Sequence, residues 1–197
     1  GDLYADDDYY TDADSNAYQL PTFLGNHDMG RLAMMLRTSG VSKEDTLTRL
    51  KLANSLLYLT RGQPVVYYGD EQGFEGSGGD KAARQDMFAS KVASYNSEEV
   101  IGGASGSKDR YNTNAPLYRQ IADLAKLRAK HPALADGAQI ERYASSDAGI
   151  FAVSRIDKAA NREYLVVTNT ATTAKTATFA TYTPGGRFPP LLGGGGD

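Results

Sequence analysis

Residues 19–32 read QLPTFLGNHDMGRL. Pro21-Thr22-Phe23-Leu24-Gly25 is a short, nearly all-apolar run, and it stops abruptly at three polar side chains, Asn26, His27 and Asp28. A buried strand that delivers polar groups from its carboxyl end is how parallel-barrel enzymes present catalytic residues. A second run of the same build, Gly62-Gln63-Pro64-Val65-Val66-Tyr67-Tyr68-Gly69, ends on Asp70 and Glu71. The spacing between the two predicts a helix over 43–61. Ser42 caps it, with Asp45 in the capping-box position. Leu47, Leu50, Ala53, Leu57 and Tyr58 trace a broad apolar face, and Arg61 followed by Gly62 gives the stop signal. Strand, helix, strand in this order implies a right-handed parallel unit, with the strands predicted at 21–25 and 65–68.

FLGNHD and the downstream GQPVVYYGDEQG, in this order and at this separation, resemble the alpha-amylase superfamily of retaining glycoside hydrolases. The first matches that superfamily's last catalytic motif, and the second matches its following barrel strand and loop. The resemblance covers residues 19–134 and extends loosely over 138–182. It implies an α/β-then-β fold. Residues 1–134 would be the last part of a (β/α)8 TIM barrel, and 138–197 the start of an incomplete antiparallel β-sandwich domain. It implies an α-glucan such as starch, or a maltooligosaccharide, as substrate, and an extracellular or periplasmic setting. By the same resemblance Asp28 is the transition-state stabiliser, and His27 binds the distorted sugar beside it. Asn26 and Arg31 join them as substrate-binding candidates. Asn26 would orient the pair, and Arg31 is open to two readings, partner of a carboxylate on the barrel floor or surface salt bridge. His27, Asp28 and the loop from Asp70 should share one rim.

The resemblance also exposes what is missing. Retaining hydrolysis needs a nucleophile and a general acid about 5 Å apart. In the family both lie on strands ahead of the FLGNHD strand, and no segment before Pro21 is an apolar strand ending in Arg-x-Asp. A complete (β/α)8 barrel takes about 250 residues, more than the 197 present. The expectation is a carboxyl-terminal portion of an amylase-type enzyme, inactive alone, whose partner is the missing upstream half of the same enzyme. A rival from a different class is a non-catalytic module for glucan binding or assembly. Asp70 and Glu71 are neighbours whose side chains should diverge, so they are expected to support the site rather than act as an acid/base pair. Asp80 and Arg84, in GGDKAARQDMF, resemble a family segment near the substrate cleft.

Bulk properties narrow the field further. The net charge is −3, and the 21 Lys and Arg are scattered rather than striped, which gives no nucleic-acid signature. No apolar run approaches the roughly 18–20 residues of a membrane-spanning helix, so no membrane partner is expected. The acidic start, GDLYADDDYY, does not have the form of a secretory signal. The chain has no cysteine and two histidines, which excludes disulfides, thiolate zinc sites and a His-rich metal centre. No cofactor or metal site is expected. Calcium in an intact parent would fit the resemblance but is not assignable here. Asp12-x-Asp14-x-Asn16 resembles half a calcium loop, yet Ala17 and Phe23 stand where the turn glycine and the bidentate glutamate belong. The glycine clusters at 76–79 and 102–106 lack the Lys-Ser/Thr of a phosphate loop.

The remaining organisation follows from pattern. Residues 1–18 read as an acidic loop and 72–112 as a long functional loop, with a short helix near Lys81–Ala89. A helix is predicted over Ala115–Lys130, with Pro116 in its first turn. From Ala138 the texture turns to β. Gly149–Ile156 and Glu163–Thr170 should form a hairpin, with Lys175–Tyr182 as a third strand.

Overall fold

The computed structural model describes residues 16–76, 78–103 and 110–193. The acidic stretch that holds Asp12 and Asp14 lies outside the described residues. The chain divides into two compact units. The first takes Pro21–Tyr58 and Gln63–Leu127. The second takes, among the described residues, 16–20, 59–62 and 128–193.

The first unit is built on two short parallel strands, β1 (Pro21–Phe23) and β2 (Gln63–Val65), with Pro21 opposite Gln63 and Phe23 opposite Val65. The second strand begins two residues earlier than predicted and ends at Val65 instead of Tyr68. The reason is local. The Tyr67 carbonyl closes a turn by accepting the Asp70 N–H at 3.1 Å. The Tyr68 carbonyl accepts from the Arg31 side chain, so neither is free for a ladder. The strands are also less buried than their sequence suggests, because Phe23 is 48% and Val65 46% exposed. Among the described residues this sheet has only two strands, too few to cover its own faces.

Three longer helices belong to the same unit. Helix α1 (Leu32–Thr38) was not legible in the sequence. It closes at Gly40, whose φ of +89° is the left-handed conformation glycine tolerates, with Val41 N–H donating to Leu36 O at 3.1 Å. Helix α2 (Lys43–Leu59) starts at the predicted cap. Ser42 Oγ accepts the Asp45 N–H at 3.0 Å and donates to Asp45 Oδ2 at 2.8 Å. Two helices follow it, the short α3 (Ala93–Ser97) and α4 (Pro116–Lys130). Gln120 of α4 donates to Lys51 O at 2.7 Å and to Ser55 Oγ at 3.1 Å on α2. Ala33, Leu50, Ile101 and Leu117 form the core, with Leu32, Leu36 and Leu47 packed against it. Burying each of the larger ones is worth about 1.5–3 kcal/mol. The helix predicted near 81–89 is reduced to a single 3-10 turn, Asp80–Ala83. The long loop is tied back by the Ile101 N–H donating to Gly73 O at 2.7 Å and by a bridge between Phe74 and Val100.

The second unit carries helix α5 (Pro132–Asp136) and a three-stranded antiparallel sheet. Its strands are β3 (Ala138–Ala144), β4 (Ile150–Asp157) and β5 (Arg162–Asn169), in that spatial order. The hairpin β4–β5 is present with Ile150 opposite Asn169 and Asp157 opposite Arg162. The expected strand over Lys175–Tyr182 does not form, and the third strand is β3 instead. Side chains rather than a backbone ladder hold that stretch. Phe179 stacks on Tyr143 at 6.3 Å, and Tyr182 lies under the Arg142 guanidinium at 4.2 Å. Thr183 Oγ1 donates to Glu163 Oε2 at 3.0 Å. Glu163 also accepts from Arg142 at 3.1 Å and from Ser154 Oγ.

The turn after α2 belongs to this second unit. Arg155, fully buried, donates to Leu59 O at 3.2 Å and Gly137 O at 2.9 Å. Arg128 donates to Thr60 O at 3.3 Å and Gly62 O at 2.6 Å. The last carbonyls of a helix lack intrahelical partners; here Arg155 supplies one for Leu59, and Arg128 bonds the carbonyls of the turn just beyond it. Burial, then the nearby Arg128 charge, pulls the Arg155 pKa down to about 10.

Candidate active site

The site lies wholly in the first unit, where the connections leave β1 and β2. Because the two strands are parallel, Asn26–Asp28 and Asp70–Glu71 follow the same edge of the sheet. A Cβ on Gly25 would sit 3.8 Å from Asp70 Oδ2, so the Asp70 carboxylate packs against the turn that carries Asn26, His27 and Asp28.

Asn26 shapes that turn. Its Oδ1 accepts the Asp28 N–H at 2.8 Å, an Asx turn that fixes the backbone two residues on. The turn leaves His27 and Asp28 outside. Their side chains are 69% and 71% exposed, and His27 Nε2 lies 3.2 Å from Asp28 Oδ2. This pairing presents an imidazole and a carboxylate side by side to solvent.

Arg31 is placed differently from the expectation of substrate contact. It is 1% exposed. Its Nη1 donates to Asp70 Oδ1 at 2.7 Å and Tyr68 O at 2.9 Å, its Nε to Gln85 Oε1 at 2.8 Å, and its Nη2 to Ala83 O at 2.9 Å. The rings of Tyr67, Tyr68 and Phe74 surround the cation at 4.8, 5.5 and 5.2 Å. A guanidinium so enclosed is not open to a ligand. Its contacts make it the partner of the part-buried Asp70 carboxylate rather than a surface salt bridge. Gln85, itself 1% exposed, passes the network on to Glu98.

Asp70 and Glu71 diverge. Asp70 points inward to Arg31, whereas Glu71 Oε2 accepts the Gly69 N–H at 2.8 Å. Burial raises the Asp70 pKa, and the Arg31 charge only partly offsets it. Burial, reinforced by the hydrogen bond with Tyr67, pushes the Tyr68 phenol up to about 12. The two rings meet edge-on at 4.6 Å.

Asp80 and Arg84 come to the same place. Arg84 Nε donates to His27 O at 3.0 Å, and its Nη2 lies 2.9 Å from Asp80 Oδ2 and 3.8 Å from Asp28 Oδ1. Sequence reasoning missed Gln85 and the Ala83 carbonyl. Their contacts with Arg31 span 54 and 52 positions, and no local pattern reports such a pairing. For calcium, no group of three or more His, Asp or Glu side chains suited to a metal gathers among the described residues.

Residues 3–137 match the family model described as "Alpha amylase, catalytic domain". An alpha-amylase of Streptomyces lividans is 50% identical over 194 residues, 97% of this chain and 21% of that protein. A cyclomaltodextrin glucanotransferase of Paenibacillus macerans is 29% identical over 174 residues, 88% of this chain and 20% of that protein. This chain therefore spans about a fifth of the length of each. Among solved structures, an Anoxybacillus alpha-amylase superposes with a TM-score of 0.64 at 23% identity, over 86% of this chain and 30% of its own. That likeness concerns the fold, and its extent fits a small parallel sheet with helices followed by an antiparallel one. With the family model matching most of its length and its sequence motifs in order, the chain belongs to the alpha-amylase family.

Proposed function

We propose that these residues supply the sugar-gripping part of an alpha-amylase-type glycosidase that cleaves α-glucans with retention. The parallel pair and its helices are read as the last part of a (β/α)8 barrel, and the three-stranded sheet as the start of the trailing β domain. The observation that carries the reading is the exposed His27–Asp28 pair, 3.2 Å apart, on the edge shared with Asp70. In this role Asp28 stabilises the oxocarbenium-like transition state and His27 donates to a sugar hydroxyl, both contacts tightening as positive charge grows at the anomeric carbon. Asn26 holds Asp28 in place through its backbone N–H. The nucleophile and the general acid come from the upstream half of the enzyme, because Asp70 and Glu71 are committed to internal donors. A transferase among the relatives leaves water or a second sugar as the acceptor.

The test is release of reducing sugar from soluble starch. The 197-residue chain alone is expected to release none, and the same residues within the longer enzyme are expected to turn over. Turnover by the isolated chain, abolished by Asp70→Asn or Glu71→Gln, would overturn the assignment. Binding of maltoheptaose by the isolated chain, with no turnover in the longer enzyme, would favour a glucan-binding module instead.

A further inference from the structure

The contacts around Arg31 close a ring. The chain leaves β1, passes through His27 and Asp28, and reaches Arg31. Arg31 grips Ala83 O through Nη2 at 2.9 Å and Gln85 Oε1 through Nε at 2.8 Å. These are the two neighbours of Arg84. Arg84 then points back, with Nε donating to His27 O at 3.0 Å and Nη2 lying 3.8 Å from Asp28 Oδ1. We propose that Arg31 is a positioning residue that clamps the Ala83 carbonyl on one side of Arg84 and the Gln85 side chain on the other, and so sets the Arg84 guanidinium against the His27–Asp28 pair.

The geometry favours this over a merely structural role. Arg84 is 47% exposed, and an arginine that exposed ordinarily spreads over many rotamers. Its two outer contacts are weak taken singly, since exposed ion pairs contribute little. The order has to come from the backbone that carries it. Arg31 supplies that order with a planar fork, whose donors are fixed relative to one another. A lysine at 31 would keep the charge and lose the fork. The second end of the clamp is anchored as well, because Gln85 Nε2 donates to Glu98. Asp80, on the other side, holds Nη2 at 2.9 Å and limits the swing of Arg84.

This inference rests on reading His27–Asp28 as the sugar-binding pair, and its test needs no turnover, so it fails independently of that reading. The chain has two histidines. His131, beside Tyr164 at 3.2 Å, serves as internal reference for the imidazole NMR resonances of His27. Spectra of the 197-residue chain at one fixed pH are compared for wild type, Arg84→Ala, Arg31→Lys and the double variant. Arg84→Ala should displace the His27 resonances. Arg31→Lys should displace them in the same direction and by a similar amount, and the double variant no further. His131 should stay in place throughout. Gln85→Met provides a second route should Arg31→Lys collapse both histidines to unfolded positions, and it should move His27 alone, by part of the Arg84→Ala displacement. His27 unmoved in Arg84→Ala, or unmoved in a folded Arg31→Lys or Gln85→Met, overturns the proposal. So does a double variant whose shift is the sum of the singles.

Discussion

Arg31 Nη1 stands 2.7 Å from Asp70 Oδ1, in a pair whose cation is 1% and whose carboxylate is 24% exposed. The two residues come from the connections that follow β1 and β2, so one ion pair ties together the two loops that form the candidate rim. Taking such a pair out of water is costly, and its attraction offsets that cost only in part. The raised pKa of Asp70 records the same balance, with burial outweighing the arginine.

The pH dependence follows from that direction. The folded form of Asp70 holds its proton more tightly than the unfolded chain does. Its contribution to stability is therefore fully present below the ordinary aspartate value of about 4 and is lost as pH rises through the raised folded value. In urea melts across this window, the stability gap between wild type and Asp70→Asn should narrow as pH increases. A gap that widens with pH would mean that the Arg31 charge outweighs burial.

Glu163 should show the opposite slope. Burial works against its charge, but hydrogen bonds from Ser154, the Tyr182 backbone and Thr183, with the Arg142 charge, together bring its pKa down. A carboxylate with a depressed folded value contributes stability above the ordinary glutamate range, and that contribution is lost as pH falls through the folded value. Acid titration below about pH 4 should loosen residues 175–183 before the strands themselves, and Glu163→Gln should abolish the slope. Hydrogen exchange of the Tyr182 and Thr183 amides is the direct measurement. Because Arg142 is 12% exposed, Glu163→Ala should cost about 3 kcal/mol or more.

Gly73 is a strict requirement of the loop. Its φ is +82°, and a Cβ there would meet the Ile101 carbonyl oxygen at 2.1 Å. Gly73→Ala combines a left-handed backbone penalty of about 1–2 kcal/mol with a clash against main chain. The clash would also break the 2.7 Å bond from Ile101 N–H to Gly73 O. Thermal melting should fall by more than it does for Gly40→Ala, which has a φ of +89° but no neighbour within 4 Å.

Asp28→Asn should separate chemistry from stability. The side chain is 71% exposed, so the melting behaviour of the chain should stay within about 0.5 kcal/mol of wild type. Within the proposed longer enzyme, turnover should drop about 10²–10³-fold with little change in KM, as expected for a contact made mainly in the transition state. A large rise in KM at unchanged turnover would assign Asp28 to ground-state binding instead.

Much of this was written in local sequence. The α2 start was legible because Ser42 and Asp45 sit three apart, and α4 because Pro116 precedes a regular apolar period. The candidate residues His27 and Asp28 stood out because polar side chains interrupt an apolar run. What was not legible is long-range. Helix α1 has no side-chain cap at Arg31, so nothing announced its start. The sequence leaves Arg31 open between a carboxylate partner and a surface salt bridge, because the acceptors that bury it lie at 68, 70, 83 and 85. Lys175–Tyr182 has the Thr-rich composition of a strand, but composition cannot supply a neighbouring edge, and side-chain contacts hold the stretch in place of a ladder.

The arginine-capped turn at 59–62 has a bearing on how the molecule could be taken apart. Four residues in the middle of the first unit's sequence are structurally part of the second, and Arg61 N–H donates to Gln139 Oε1 at 2.9 Å to secure them there. No single cleavage of the backbone can therefore free the antiparallel sheet intact. A protease nick near residue 127 would leave Arg128 and Arg155 still holding the carbonyls of 59, 60 and 62, and the two pieces should co-elute until denaturant is added.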